Sequence, residues 1–397
     1  MLDNLLEGVR VIDLTQNVAG PFCTQVLGDF GAEVIKIERP GVGDDTRAWV
    51  PPEIGGHSST FLSLNRNKRS ICLDLNQPES IKILRELAKS ADVIIHSMKP
   101  GSAEARGFGP EELMALNPRL VYCAISAFGE VGKMAKLPGY DPLVQAFSGV
   151  MSVTGNQNDD PVRVSVSLID MGTGMWSAMG IFAALMSRER TGKGTQVNTS
   201  LLETGLSWMT VFVASYLASG QLPRKMGSAM AMAAPYQLFK TSDGHIFIAA
   251  GNDGLFVKVC DALGCPELAQ DERFVTNTDR INNRDALCAA IEQVTTQHTA
   301  AELVERLRKT GAPCSELNNV AQAIEHEQVR ALDMVPSLPA PGIPDLRTVA
   351  LPIRADGKRV GKKSPPPFLG ADTSELLQEL GYDAAAQQEL RGKGIIN

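Results

Sequence analysis

The residue best placed for chemistry is an aspartate at a change of pattern. Apolar residues alternate in VRVSVSLID, which predicts a strand. They follow a helical period in the next segment, MGTGMWSAMGIFAALMSRER. Asp170 is therefore predicted at a strand-to-helix junction. By spacing alone this position favours a helix N-cap, in which the carboxylate accepts backbone N–H groups near the positive end of the helix dipole. The strand is predicted from four alternating apolar side chains: Val162, Val164, Val166 and Leu168.

Several catalytic motifs are missing from the sequence. It has no GxxxxGK[ST] phosphate loop, no HExxH and no GxSxG elbow, and its five histidines are not paired at metal-ligand spacing. These absences argue against a serine hydrolase, and no metal site is predicted. The segments around Gly41 and Gly172 approach the dinucleotide motif GxGxxG, but both lack its third glycine. A nicotinamide-dependent enzyme is therefore not expected.

The elements that must position Asp170 are predicted by alternating patterns. Short β-branched runs are separated by amphipathic stretches, and one helix is marked by Pro78 at a suitable first position. Strands separated by helices predict a parallel sheet in an α/β fold. The strand-like segments are residues 9–14, 34–38, 70–75, 92–97, 120–126 and 196–201.

The length of 397 residues favours two domains. Residues 1–220 are predicted to form the first part of a large domain, whose last apolar helix ends near Leu217 before the linker-like GQLPRKMGSAMAMAAP. Residues 221–330 are predicted to form a small α+β domain with a hairpin, YQLFK to HIFIAAG, and a capping box at Thr299. Residues 331–397 begin with a proline-rich surface stretch and end with a helix.

Composition and charge exclude several classes of partner. The net charge is −7, so the basic surface needed for nucleic acid is missing, and no partner of that kind is expected. The start MLDNLLEGVRVIDL has acids where a signal peptide needs positive charge, and no membrane-length span was found. Seven cysteines without a CxxC pair are typical of reduced thiols, which predicts a cytoplasmic location.

A series of blocks resembles the family III CoA-transferases (the CaiB/BaiF family), which include formyl-CoA:oxalate and carnitine CoA-transferases. The resemblance covers nearly all of residues 5–220 and continues more weakly through YQLFKTSDGHIFIAAGND. It implies a Rossmann-like large domain completed by the C-terminal segment, an inserted small domain, and an interlocked homodimer. The blocks are LEGVRVIDLT, AGPFCTQVLGDFGAEVIKIERP, NRNKRSICLDL, ADVIIHSMKPG, NPRLVYCAIS, GYDPLVQAFSGVMSVTG and TGKGTQVNTSLLET.

The resemblance implies that Asp170 is a nucleophile of an acyl-CoA:carboxylate CoA-transferase. Its carboxylate would form a mixed anhydride and then an aspartyl-CoA thioester. Coenzyme A enters as a substrate, with no permanently bound cofactor or metal expected. The N-cap alternative competes with this role, because capping bonds would reduce the nucleophilicity of the carboxylate. Backbone N–H groups at the same junction, or around Gly251, are expected to stabilise the oxyanion.

Two residues of GYDPLVQ resemble family positions beside the thioester, and both are assigned to the catalytic site. Tyr140 stands where related α-methylacyl-CoA racemases have a histidine, so proton shuttling by two groups lacks one member. This substitution favours transfer over a racemase-like isomerase, which remains an alternative. For Asp141 a capping role is the structural alternative. A third alternative is a non-catalytic acyl-CoA-binding subunit, suggested by the loop at Gly251, which has few glycines.

The resemblance also implies binding residues, of which Arg39 is suited to holding a CoA phosphate in a bidentate way. Arg106 lies one position from the usual family arginine, where this chain has Ala105. Gly251 and Asn252 are expected to contact substrate, and the acid pocket is expected to include Trp49, Met230 and Met232. The remaining residues expected to bind CoA are Val18, Ala19, Leu73, Leu75, Asn76, Ser97, Met98, Lys99, Lys136 and Leu137.

Overall fold

A computed structural model describes residues 2–361 and 364–397. The chain divides into two compact units. The larger unit contains the chain up to Val150, Arg163–Ala218 and Gln328–Asn397. The second unit contains Met151–Val162 and Ser219–Glu327. The boundaries between the units, at residues 218 and 327, lie close in sequence to the predicted boundaries at 220 and 330. The assignment of residues 151–162 to the second unit was not predicted.

The larger unit is built on a six-stranded sheet in which every neighbouring pair is parallel. Its order is β3-β2-β1-β4-β5-β6, that of a doubly wound nucleotide-binding fold. The four central strands are buried almost throughout, as their continuous apolar runs require. The predicted α/β class with a parallel sheet is confirmed. The strands are β1 (Arg10–Leu14), β2 (Glu33–Glu38), β3 (Lys68–Cys72), β4 (Val93–His96), β5 (Val121–Ser126) and β6 (Gln196–Ser200).

The helices of the larger unit connect these strands. Pro78 occupies the first turn of its helix, as predicted. Helix boundaries in this part of the chain are α1 (Ala19–Asp29), α2 (Ser59–Leu64), α3 (Pro78–Lys89), α4 (Pro110–Leu116), α5 (Asp141–Phe147), α6 (Val150–Val153), α7 (Leu168–Thr191), α8 (Leu201–Trp208) and α9 (Thr210–Ser219). Short 3₁₀ helices cover Leu2–Asn4, Asp45–Ala48 and Glu104–Arg106, and a two-residue ladder pairs Glu53–Ile54 with His57–Ser58.

The second unit has its own sheet and core. The predicted hairpin is present as two antiparallel strands, and Thr299 and Glu302 form the predicted capping box. Phe239, Phe256 and Phe274 are buried at the centre of this core. The elements are β7 (Tyr236–Lys240), β8 (His245–Ala249), β9 (Cys314–Glu316), α10 (Asp253–Leu263), α11 (Asn277–Asn282), α12 (Arg284–Thr295), α13 (Ala300–Thr310) and α14 (Val320–Glu325), with a 3₁₀ helix at Pro266–Ala269. The next helix, α15 (Glu327–Ala331), begins at the last residue of this unit and belongs mainly to the larger unit.

The C-terminal segment packs on the parallel sheet of the larger unit. It contains a two-residue ladder, Arg354–Ala355 with Lys358–Arg359, and two helices, α16 (Thr373–Glu379) and α17 (Ala384–Gly392). The prediction of one last helix was incomplete, because α17 follows the first. Several of its apolar side chains are buried with strand residues of the sheet core: Leu376, Leu377, Leu390, Ile395 and Ile396.

Two local predictions were wrong. Residues 160–167 form no strand, and α7 already begins at Leu168, so Asp170 lies inside a helix and not at a strand end. Val162 and Val166 are exposed, which shows that the alternating valines do not mark a buried face. The long apolar helix expected up to Leu217 is divided into α8 and α9, which meet at a bend of 63°.

The expectation that no segment has membrane length also needs correction. By length and composition α7 could cross a membrane, and α8 with α9 passes the same test if the bent pair counts as one span. Half of the most apolar window of α7 is buried within the protein. Packing against other elements therefore accounts for its apolar composition, as in the core helix of a globular domain.

Candidate active site

A cleft opens at the carboxyl ends of the parallel strands, where strand order reverses between β1 and β4. Ligands of doubly wound folds bind at this switch point. The cleft is lined by the loops that follow β1, β4 and β5, and by the start of α7. The lining residues are Gln16, Asn17, Val18, Ala19, Trp49, Ser97, Met98, Lys99, Pro100, Ile125, Ser126, Ala127, Leu137, Pro138, Gly139, Tyr140, Asp170 and Leu201.

Asp170 is the third residue of α7 and reaches this cleft. Its backbone N–H is bonded, but within residues 2–361 and 364–397 no donor lies within hydrogen-bonding distance of its carboxylate. Burial, and secondly the negative charge of Asp141, raise the pKa of Asp170 to about 7. A carboxylate with these properties is poorly solvated and basic for its type, which increases its reactivity towards an acyl carbon.

Asp141 carries out the capping that was considered for Asp170. Its Oδ2 accepts the backbone N–H groups of Ile169 at 2.7 Å and Asp170 at 3.1 Å. The residue is 3% exposed, and its Oδ1 accepts from the Gln145 side chain. The N-cap alternative for Asp170 is therefore wrong, since a carboxylate from α5 occupies that place. The same bonds correct another expectation, because these two N–H groups are not available to an oxyanion.

A close contact between α1 and α7 fixes where Asp170 points. A Cβ added at Gly174 would stand 2.5 Å from the carbonyl oxygen of Ala19, so only glycine permits this approach. Asp170 precedes Gly174 by four residues and therefore lies on the same face of α7. That face is turned to the start of α1, which brings the carboxylate beside Val18 and Ala19 in the cleft wall.

A second cleft lies beside the first and shares Gln16, Asn17 and residues 97–99 with it. Their cavity volumes are about 210 and 400 Å³. Because the two clefts share these lining residues, together they suit an elongated ligand. The predicted binding residues that line this second cleft are Arg39, Leu73, Leu75, Asn76, Ser97, Met98, Lys99 and Arg106.

The cationic groups of the second cleft have protein partners. Arg39 donates to the carbonyl oxygen of Gly43 at 3.0 and 3.2 Å and is ion-paired with the half-exposed Asp45. Arg106 donates to the carbonyl oxygen of Ser102 at 3.0 Å and reaches Asn76 Oδ1 at 3.5 Å. Both side chains are accessible, so a phosphate could replace these weak surface partners.

Buried charges hold the loop that joins β1 to α1. Lys36 Nζ is fully buried, donates to the carbonyl oxygen of Thr15 at 2.9 Å and lies 2.8 Å from Asp44 Oδ2. Asn17 has a left-handed backbone with φ of 68°, and its N–H donates to Asp44 Oδ1 at 3.2 Å. These bonds restrict the loop to one conformation, in which it lines both clefts.

One predicted binding residue of the larger unit lies outside both clefts, and four predicted residues belong to the second unit. Lys136 is exposed in a turn and is not among the residues lining either cleft. Gly251 and Asn252 belong to the second unit, where Asn252 caps α10 by accepting the N–H of Leu255 at 2.9 Å. Met230 and Met232, also in that unit, are exposed. Trp49, in contrast, lines the cleft that contains Asp170.

Four residues around the clefts were missed by the sequence reasoning. Lys36 and Asp44 hold the loop after β1, and a lysine inside the apolar run VIKIE was the available signal. His96 ends β4, burial lowers its pKa to about 4, and its Nδ1 accepts the N–H of Met98 at 3.2 Å. Gln145 contacts Asp141, and only their spacing of four residues on one helix indicated this.

Among the described residues, no three His, Cys, Asp or Glu side chains form a candidate metal site.

Comparisons with known proteins agree with this architecture. The family described as CoA-transferase family III matches residues 6–373. Succinyl-CoA:glutarate CoA-transferase of Homo sapiens is 37% identical over 393 residues, which are 99% of this chain and 90% of that protein. Acetyl-CoA:oxalate CoA-transferase of Acetobacter aceti is 41% identical over 330 residues, 83% of this chain and 85% of that protein. A solved CAIB/BAIF family protein from Brucella suis has a TM-score of 0.85 and 38% identity, covering 94% of this chain and 99% of that chain.

A doubly wound sheet with a carboxylate in a long cleft at its switch point defines the class, and the comparisons define the family. The chain belongs to CoA-transferase family III. The resemblance stated from the sequence is confirmed, and so is the prediction of a CoA-transferase enzyme. The relatives are CoA-transferases, whose substrates are CoA thioesters and carboxylic acids.

Proposed function

We propose that the protein is an acyl-CoA:carboxylate CoA-transferase in which Asp170 forms the covalent intermediates. The observation that carries this proposal is the carboxylate of Asp170, which faces the cleft without a hydrogen-bond donor from the described residues. Capping of α7 by Asp141 leaves both Asp170 oxygens available for attack. The second cleft, with Arg39, Lys99 and Arg106, offers positive charge for the phosphates of coenzyme A.

The reaction consists of four acyl exchanges that balance without a net proton. An Asp170 oxygen attacks the thioester carbonyl, the C–S bond breaks, and a mixed anhydride and CoA thiolate form. The thiolate attacks the Asp170 carbonyl carbon, which releases the donor acid and leaves an aspartyl-CoA thioester. The acceptor carboxylate attacks this thioester and expels the thiolate. The thiolate finally attacks the acceptor acyl carbon, which gives the new acyl-CoA and restores Asp170.

Short dicarboxylic acids are the proposed donor and acceptor acids. Support comes from the relatives, whose names give succinyl-CoA with glutarate and acetyl-CoA with oxalate. Trp49 is 43% exposed and lines the cleft beside Asp170, so it is proposed to bound the acid pocket. A panel of succinyl-, glutaryl- and acetyl-CoA donors against acids of two to five carbons, read by mass spectrometry, would identify the pair.

Trapping tests the covalent mechanism. Acyl-CoA and hydroxylamine should convert Asp170 to its hydroxamate, detected by peptide mass spectrometry, while Asp141 stays unmodified. Asp170→Ala should abolish both the hydroxamate and acid exchange. Glu111→Gln changes an exposed acid on α4 and serves as the matched control, with activity retained. A fully active Asp170→Ala variant would refute the mechanism.

An isomerase acting on the carbon beside the thioester is the second candidate. The raised pKa of Asp170, about 7 through burial and the charge of Asp141, also suits a general base. Tyr140 stands where the racemases have a histidine, which disfavours this alternative. Deuterium uptake from D₂O at that carbon without acid exchange would establish the isomerase. CoA binding without turnover of any kind would instead establish a non-catalytic binding subunit.

We propose further that two copies of the chain form an interlocked homodimer. Support comes from large apolar side chains exposed along α7 and α9, a feature typical of protein–protein contact surfaces. They are Met175, Trp176, Met179, Val211, Phe212, Val213, Tyr216 and Leu217. Analytical ultracentrifugation should give a dimer that Val213→Glu with Leu217→Glu dissociates, whereas Val131→Glu, at another exposed valine, should not.

A cytoplasmic location is proposed as well. Its support is the state of the seven cysteines, all of them free thiols and five of them buried. Thiols of this kind persist in a reducing compartment. Cell fractionation with an antibody to the protein should recover it with cytoplasmic markers, and recovery with another compartment would refute the location.

A further inference from the structure

We propose that Gln145 is a positioning residue for the reaction. It holds Asp141 against the first turn of α7, and this arrangement leaves the Asp170 carboxylate available. The inference rests on the proposed nucleophilic role of Asp170, because its readout is the rate and pH dependence of CoA transfer. Gln145 is not among the residues that line the cleft. Its effect is therefore expected to pass through Asp141 and through the segment before α7.

Each polar atom of the Gln145 side chain has a partner. Nε2 donates to Asp141 Oδ1 at 2.6 Å and to the carbonyl oxygen of Val164 at 3.0 Å. Oε1 accepts the N–H of Val164 at 2.8 Å. The side chain is 0% exposed, so water does not compete for these bonds. The amide cannot flip, because the carboxylate and the Val164 carbonyl both need a donor while the Val164 N–H needs an acceptor.

These bonds connect α5 to the segment that leads into α7. Val164 lies in the irregular stretch where a strand had been predicted, and Gln145 satisfies both of its backbone groups in place of a neighbouring strand. The stretch ends at Ser167, immediately before α7. Gln145 therefore fixes the path of the chain into α7 as well as the carboxylate that caps the helix.

Loss of Gln145 would release Asp141 from its place at the start of α7. Asp141 would keep a buried Oδ1 without its donor, which is unfavourable for a charged group, and residues 163–167 would lose their bonds to α5. Ile169 and Asp170 would then present unpaired N–H groups at the helix start, and the Asp170 carboxylate would be misplaced. As the negative charge of Asp141 moves away, the pKa of Asp170 would fall.

The pH dependence involves few charged groups. Asp141 on α5 faces Asp170 and is the group whose charge raises the pKa of Asp170 after burial. Tyr140 at the start of α5 and Lys99 after β4 line the same cleft. On α8, Glu203 is bonded to Ser200 Oγ at 2.5 Å. At the start of α1, Val18 and Ala19 line this cleft, and neither carries a charge.

The test compares kcat, KM and the pH profile of Gln145→Met with those of the wild type. Gln145→Met keeps the size of the side chain but makes none of its hydrogen bonds. We expect kcat to fall about tenfold or more, as for a misplaced reacting group. KM for acyl-CoA should stay within about threefold, because the second cleft is built by other elements. The acid limb of the kcat profile should move to lower pH.

Gln145→Glu is the second variant and keeps the proposal falsifiable if the first does not fold. When protonated, glutamic acid can donate its single O–H to Asp141 and accept the N–H of Val164, which restores two of the three bonds made by the amide. Activity should therefore be rescued at the lower end of the pH range and lost as the new carboxyl ionises beside Asp141. This new alkaline limb should be absent from the wild type and from Gln145→Met.

Gln387→Met is the matched control. Gln387 is also a buried amide, and it donates to the carbonyl oxygens of Ser374 and Tyr382 at 3.1 and 3.0 Å, away from the cleft. Its replacement should lower the unfolding temperature without moving kcat or the acid limb. Gln145 variants with unchanged kcat and pH profile, in an enzyme that still yields the Asp170 hydroxamate, would overturn the inference alone. A wild type without hydroxamate would overturn the proposed mechanism first.

Discussion

Two carboxylates at the start of α7, those of Asp141 and Asp170, have different surroundings. Asp141 accepts three N–H groups and is almost fully buried, so its negative charge is compensated by hydrogen bonds. The Asp170 carboxylate is largely buried and accepts no such hydrogen bond from the described residues. Burial, and secondly the negative charge of Asp141, raise the pKa of Asp170 to about 7. A carboxyl group whose pKa is raised in this way inside a cleft is typical of acid–base and nucleophilic sites.

The first prediction is that the rate of CoA transfer depends on pH through the ionisation of Asp170. Asp170 must be ionised to attack, and its pKa is raised to about 7 by burial and the charge of Asp141. The kcat/KM for acyl-CoA should therefore fall about tenfold per pH unit below pH 7 and level off above it. Steady-state kinetics from pH 5 to 9, with an acyl-CoA stable over that range, measures this limb. A limb near pH 4 would contradict the raised pKa.

The second prediction concerns stability. Because the folded state raises the pKa of Asp170, the native protein binds this proton more tightly than the unfolded chain, and stability falls as pH rises from about 4 to 7. Asp170→Asn removes the penalty, so it should be more stable than the wild type by roughly 2–4 kcal/mol above pH 7. Urea unfolding at pH 4, 6 and 8 should show this difference grow with pH. A constant difference would show that ionisation is not its cause.

At the scale of elements, the sequence predicted the strands of the parallel sheet, because a strand that is buried on both faces must carry apolar residues throughout. The four central strands β1, β2, β4 and β5 carry apolar runs, and all six strands were predicted within a few residues of their observed bounds. The strand prediction for residues 161–167 was wrong, because an alternating pattern forms a strand only beside another strand with which it can pair. The side chain of Gln145 bonds the backbone groups of Val164 instead. The site was predicted from the sequence blocks that resemble the family, several of which lie at the ends of strands. Gln145 and Lys36 were not, since buried polar partners depend on contacts that no local pattern records.

The third prediction tests the approach of α1 to α7. Gly174→Ala would place a Cβ 2.5 Å from the Ala19 carbonyl oxygen, and backbone cannot move aside cheaply. The variant should lose about 1–3 kcal/mol in urea unfolding, as overpacked sites do. It should also lower kcat, because Asp170 lies on the same face of α7. Gly392→Ala, at a helical glycine with nothing within 4 Å, is the control and should be neutral or slightly stabilising. Equal behaviour of both variants would contradict the close contact.

At the scale of the whole molecule, the end of the chain completes the edge of the parallel sheet. Ser70 on β3 exchanges two bonds with Asp372, its N–H to Asp372 Oδ2 at 2.8 Å and its carbonyl with the Asp372 N–H at 2.9 Å. The N–H of Cys72 donates to Thr373 Oγ1 at 3.1 Å. Covering an edge strand in this way prevents pairing with other chains. The sequence could not predict it, because these partners are about 300 residues apart.

The fourth prediction follows from this edge. Asp372→Ala leaves the N–H of the fully buried Ser70 without an acceptor, which should cost about 1–3 kcal/mol of the free energy of unfolding. Glu375→Ala is the matched control. Asp372 and Glu375 both lie near Arg69, at 3.7 and 3.3 Å, but the Glu375 side chain is 71% exposed, so its removal should change little. Both are measured by urea unfolding of the full chain. An equal loss in the two variants would mean that surface ion pairs, and not the covered strand edge, attach the C-terminal segment to the sheet.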